Sequence, residues 1–109
     1  MINHPIVIKI SSVLATALWA AGAGIAVHAA DINKGGQLYS THCANCHGST
    51  GVPVMPNAPN FQRSEKLLQP DFVLLALIRR GRNAMPAYAG ILRDHEIMDV
   101  VAHLRTLQR

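Results

Sequence analysis

The clearest hydrophobic pattern in the chain lies near its end. Between Asp94 and Leu107, the residues Ile97, Val100, Val101 and Leu104 fall at i, i+3, i+4 and i+7, the single apolar stripe of an amphipathic helix. Asp94 and Glu96 at its front and Arg105 near its end also suit the helix dipole. A second segment runs through seven apolar residues from Phe72 to Ile78. Taken alone such a run fits a buried strand as well as a helix, but Pro70-Asp71 is a helix start and Gly81 a stop, and the leucines favour helix. A third helix is expected from Asn33 to about His42, with Ile32, Gly35, Gly36 and Tyr39 near one side. Between Gly48 and Ser64 the chain reads "GSTGVPVMPNAPNFQRS", where glycines and three prolines forbid regular structure. Val52, Val54, Met55 and Phe61 make this an ordered, wrapping loop rather than a linker. With no strand alternation and no internal repeat, the pattern predicts an all-α fold.

The first thirty residues are different in kind. Lys9 and the amino terminus supply positive charge, and Ile10 to Val27 then runs for eighteen residues without a charge. Val27-His28-Ala29 provides the small residue expected before a processing point. Residues 1–29 are accordingly expected to be a secretory signal peptide, cut between Ala29 and Ala30, with residues 30–109 as the working domain. Eighteen uncharged residues would also just span a bilayer as an uncleaved anchor. The Ala, Gly and Ser content and the absence of a Lys/Arg stop argue for cleavage, and so against stable membrane insertion.

Removing 29 of 109 residues leaves 80, one small domain that usually needs a staple beyond its own core. Two cysteines three apart do not supply it, because a bridge closing so short a loop removes little chain entropy. Without Lys9, nine Lys and Arg face six acids, a surplus of three that is no nucleic-acid signature.

Both cysteines stand in "YSTHCANCHGSTG", residues 39–51. A thiol–disulfide oxidoreductase would place Cys-x-x-Cys beside a βαβ pattern, which is missing. Structural zinc wants four ligands, and only Cys43, Cys46 and His47 are grouped. Cys-x-x-Cys-His reads instead as a c-type haem attachment site. Cys43 and His47 lie one helical turn apart, so a group tethered through both sulfurs would present its iron to the imidazole. Export agrees, since c-type haem is attached outside the cytoplasm.

With these residues in place, the chain resembles the small class I cytochromes c of bacteria over essentially all of residues 31–109. "GGQLYSTHCANCHG" is similar to that family's first helix and haem site, "APNF" to the loop supporting the proximal histidine, "NAMPAY" to the loop carrying the distal methionine, and "EIMDVVAHLRTL" to the closing helix. The resemblance implies one haem c bound through Cys43 and Cys46, with His47 as proximal ligand and Met85 as distal ligand. It also implies that the Pro59 carbonyl accepts from His47, fixing the ring. Met85 has support of its own: it lies in a short interhelical loop before Pro86, 38 residues after His47, room enough to wrap a haem. The rival methionines fit less well. Met98 sits on the edge of a helix's apolar stripe, where methionine is packing, and Met55 is only eight residues past His47.

The family also implies a helix crossing in which Gly35 and Tyr39 meet Val100 and His103, with Gly35 allowing close approach. Two positions depart from its pattern: His103 stands where an aromatic residue is common, and Arg93 where a Ser or Thr cap is common. His42 and His95 are expected to be ordinary surface residues rather than substitutes for Met85. Arg79, Arg80 and Arg82 cluster just before the Met85 loop. They suit a solvated helix end, a clamp on haem propionates or a docking patch.

The expected function is that of a periplasmic, monomeric, monohaem electron carrier, not an enzyme, exchanging one electron in transient encounters with larger redox proteins. A haem-based sensor or small-ligand module would need an open or labile sixth position, which Met85-Pro86 argues against. A catalytic haem enzyme would need a substrate pocket that eighty residues leave little room for.

Overall fold

A computed structural model describes residues 1, 5, 22–24 and 27–109. The expected signal peptide falls mostly outside these residues, and no helix among those described is long and apolar enough to cross a membrane. Four helices are formed in the described region: α1 (Ile32–His42), α2 (Ala44–His47), α3 (Asp71–Arg80) and α4 (Asp94–Thr106). Extended pairing among these residues is confined to two isolated bridges, Arg82 with Met85 and Ala89 with Leu92.

Each helix begins and ends for a local reason. Asp31 caps α1 by accepting the amides of Asn33 and Lys34 at 2.9 and 3.0 Å. Pro70 opens α3, with Asp71 in its first turn, and Gly81 closes it at φ 69°. The first turn of α4 is held by a different device from the expected Ser or Thr. Arginine has no acceptor to offer the first-turn amides, but Glu96 reaches back to the Arg93 amide at 2.9 Å and pairs with the Arg93 guanidinium at 3.2 Å.

Helices α1 and α4 cross with backbone nearly touching backbone. A Cβ on Gly35 would lie 1.9 Å from the Asp99 carbonyl oxygen and 3.0 Å from the Val100 nitrogen. The expected crossing is thus present, and Tyr39 meets His103 with ring centroids 5.2 Å apart. The Asp99 carboxylate also accepts the Asp31 amide at 2.7 Å, tying the start of α1 to the middle of α4.

The stripe expected on α4 is the centre of the core: Ile97, Val100, Val101 and Leu104 are all buried, together with Tyr39, Phe61, Leu67 and Leu92. Helix α3 adds Leu74 and Ile78, one turn apart. Ile32, by contrast, is exposed. Arg105 does more than complement a helix dipole. Its guanidinium donates to the carbonyls of Leu67 and Gln69 and to the Asp71 carboxylate, joining the end of α4 to the chain entering α3.

Candidate functional site

The two cysteines straddle a break between helices. Cys43 ends α1 and caps α2, a single turn carrying Cys46 and His47, and both Cys46 and His47 donate their amides to the Cys43 carbonyl. Gly48 stops the turn at φ 78°, where a Cβ would lie 1.8 Å from the Val52 carbonyl oxygen. Such contact needs glycine on grounds of both space and conformation. Tyr39 reaches along α1 and donates its hydroxyl to the Gly48 carbonyl at 2.6 Å. Three side chains of potential chemistry are therefore fixed within one short turn.

Neither cysteine is in a disulfide. Burial, followed by the neighbouring Cys46, pushes the Cys43 thiol up to about 11, so it lacks the thiolate character of a redox-active cysteine. Burial lowers the pKa of His47, which keeps its imidazole neutral and its ring lone pair available to a metal. Phe61 stacks on that ring at 4.8 Å between centroids and 19° between planes. His47 Nδ1 is buried with no hydrogen-bond partner. The bond expected to the Pro59 carbonyl is not made in this structure; Pro59 instead lines a cleft with Asn57, Ala58, Glu65 and Lys66. The ring is oriented by the phenylalanine. Two thiols and a neutral imidazole, whose own Nδ1 is buried and unsatisfied, form in one turn a set of groups that fits a thioether-linked haem.

Met85 belongs to a separate loop with little freedom. Its amide and carbonyl pair with those of Arg82 at 2.9 and 3.0 Å. At Gly81, φ 69°, a Cβ would come within 2.6 Å of the Met85 carbonyl oxygen. Met85 is partly buried and packs against the core. The far end of the loop returns to the haem-motif side through Tyr88, whose hydroxyl donates to the His42 carbonyl at 2.7 Å. Met55 is placed otherwise: its amide and that of Val54 both donate to the Cys46 carbonyl at 3.0 Å, and its side chain is exposed. Met98 is half-buried on α4, in a cleft with His28, Ala30 and Asp99.

The remaining expected residues separate. Arg79 does not stand with its neighbours, because its Nη1 contacts both oxygens of Asp94 at 2.7 and 2.6 Å, joining the end of α3 to the start of α4. Arg80 and Arg82 are exposed. His95 is exposed, and His42 is half-buried with its ring edge-on to Tyr88 at 5.8 Å. Tyr88 was legible only as part of "NAMPAY"; its partner lies 46 residues away, and nothing local in the sequence signals that pairing.

Comparison with known proteins agrees with this arrangement. The family model described as cytochrome C oxidase, cbb3-type, subunit III matches residues 30–104. The chain is 38% identical over 80 residues to cytochrome c6 of Thermosynechococcus vestitus, covering 70% of each. It is 37% identical over 79 residues to cytochrome c6 of Parathermosynechococcus lividus, covering 69% of this chain and 88% of that one. Cytochrome c6 from the diatom Phaeodactylum tricornutum superposes with a TM-score of 0.58 at 30% identity, over 68% of this chain and 90% of its own. The KustC0563 c-type cytochrome superposes with a TM-score of 0.64 at 26% identity, over 69% and 98%. With the Cys43-x-x-Cys46-His47 turn in place and the family match running from residue 30 almost to the end of α4, the chain belongs to the class I c-type cytochromes, small electron carriers with one covalently bound haem c.

Proposed function

We propose that residues 30–109, freed of the segment before them, act in the periplasm as a one-electron carrier between larger redox proteins, with His47 and Met85 as the two axial ligands. The observation that carries this reading is a neutral imidazole stacked on Phe61 in the cysteine turn, alongside a methionine on a separate loop pinned at Gly81 and at Tyr88. The haem supplies a one-electron change at iron that needs no bond made or broken in the protein.

The chain's own residues keep that change cheap in reorganisation. Phe61 holds the plane of His47, whose Nδ1 has no hydrogen-bond partner among the described residues. A thioether ligand from Met85 favours reduced iron and raises the potential. The Arg82–Met85 backbone pair fixes the stretch of chain that carries this side chain. With His47 and Met85 both holding the iron, the protein would leave no open position there for a substrate, and the carrier would work as a monomer in brief encounters.

The test is the exported, haem-loaded protein. Its mass should correspond to a chain starting at Ala30 plus one haem that survives acidified organic solvent, and its ferric spectrum should show the long-wavelength sulfur-to-iron band. Haem lost to the solvent would overturn covalent attachment. Fast carbon monoxide binding by the native ferrous form would show a sixth position free for ligands and a sensor rather than a carrier.

A further inference from the structure

Tyr88 joins three parts of the molecule that the Met85 loop lies between. Its amide donates to the Ile78 carbonyl on α3 at 3.1 Å. Its ring is buried in the core and meets the His42 ring edge-on, 5.8 Å away at 79°. Its hydroxyl donates to the His42 carbonyl at 2.7 Å. That carbonyl belongs to the last residue of α1, immediately before Cys43. Carbonyls at a helix end lack helical partners, so Tyr88 satisfies a group the fold leaves open. In doing so it fixes the distance between the turn bearing the cysteines and a residue three positions after Met85.

We infer that Tyr88 is a positioning residue for Met85, its hydroxyl setting how firmly the methionine loop is held against the haem-attachment turn. The inference rests on Met85 being the distal ligand. Core filling alone accounts for the ring but not for the hydroxyl, because phenylalanine would fill the same space and keep the edge-on contact with His42. Among the described residues, the hydroxyl makes the one hydrogen bond that links the loop to the backbone beside Cys43. Three residues of chain reach about 10 Å at most, so slack at Tyr88 passes directly to Met85. The loop's other anchors, the packing at Gly81 and the amides of Tyr88 and Ala89 on the carbonyls of Ile78 and Arg79, are backbone and tie it to α3, which leaves the hydrogen bond to the end of α1 to the tyrosine hydroxyl.

The experiment compares three variants of the haem-loaded protein. Tyr88→Phe should keep the long-wavelength band but raise the affinity of the ferric form for added imidazole about three- to tenfold, the range one neutral hydrogen bond commands. Carbon monoxide binding to the ferrous form should quicken by a similar factor. Gln108→Ala removes a comparable long-range bond, Gln108 Nε2 to Ser64 Oγ at 3.0 Å, away from the loop. It should cost stability and leave imidazole affinity at the wild-type value. If Tyr88→Phe behaves like Gln108→Ala, less stable with unchanged imidazole affinity, Tyr88 is only a staple and the inference is overturned. Met85→Ala separates the two levels: a band that persists in that variant removes the ligand assignment itself, and this inference with it.

Discussion

Gly35 and Asp99 bring α1 and α4 closer together than any side chain would permit, with the site of a Gly35 Cβ only 1.9 Å from the Asp99 carbonyl oxygen. The obstacle is backbone, which moves only if a helix moves. Gly35→Ala should therefore destabilise the haem-loaded protein by about 3 kcal/mol or more, the upper range for overpacking. Gly36→Ala should cost far less, because its Cβ would meet the His103 ring at 3.1 Å, a side chain that can give, and alanine also gains about 1 kcal/mol of helix propensity. Denaturant midpoints for the two variants decide it, and equal losses would rule out the helix crossing as the cause.

Replacing the three methionines that follow Met1 one at a time separates ligand from packing. Met85→Ala should abolish the long-wavelength band and lower the reduction potential, since the thioether's preference for reduced iron is lost. Met55, exposed and anchored to the Cys46 carbonyl, and Met98, half-buried on α4, should leave both quantities alone when changed to Ala. A band that survives in Met85→Ala and disappears in Met55→Ala would reverse the assignment.

His103 gives the fold a pH dependence of definite sign. It packs on Gly36 and Tyr39 of α1, and burial lowers its pKa from the ordinary 6.5. The folded chain thus binds this proton less readily than the unfolded chain. Its contribution is complete above pH 6.5 and is lost as pH falls from there toward the folded value. Glu96, held down to about 2 by the Arg93 side chain and amide, behaves alike in a lower window, with stability present above 4.5 and lost as pH falls toward 2. His103→Phe keeps an aromatic ring on Tyr39 and removes the titration. Urea midpoints between about pH 7 and pH 5 should show the variant gaining on wild type as pH falls; a constant difference would assign the titration elsewhere.

These contacts also show what the sequence alone could carry. The limits of α3 were legible because Pro70 and Gly81 punctuate it, and the buried stripe of α4 because its period is local. The haem turn was legible from three residues in five. The split of α1 from α2 at Cys43 was not, since no Gly or Pro marks it. Nor were the three-way grip of Arg105, the Arg79–Asp94 pair or the Tyr88–His42 bond. Each joins side chains to partners 15 to 46 residues distant, and periodicity holds no record of such pairings. The stack of Phe61 on His47 lies between these cases. "APNF" placed an apolar residue near the histidine, but only the turn of the loop at Gly51, whose carbonyl accepts the Phe61 amide at 2.9 Å, brings the rings together.

Partner recognition follows from how the structure divides the three arginines before the Met85 loop. Arg79 is occupied by Asp94, in a surface pair worth about 0–1 kcal/mol. Arg80 and Arg82 are exposed, and neither forms an ion pair among the described residues. Arg80 ends α3 and Arg82 pairs with Met85 in its hairpin, so positive charge stands beside the proposed distal ligand. Encounter with an acidic face of a larger redox protein would be steered by that surface, and steering between exposed charges fades as salt shortens the screening length. Changing Arg80 and Arg82 together to Gln should slow bimolecular electron transfer at low salt and flatten its salt dependence, while leaving potential and stability near wild type. Arg79→Gln should do the opposite, costing a little stability and changing the rate less. Stopped-flow rates with an acidic redox partner across a salt series distinguish the two arginine sets. If the double variant shifts the reduction potential while the salt slope stays the same, Arg80 and Arg82 act on the haem propionates, and docking rests on apolar contact alone.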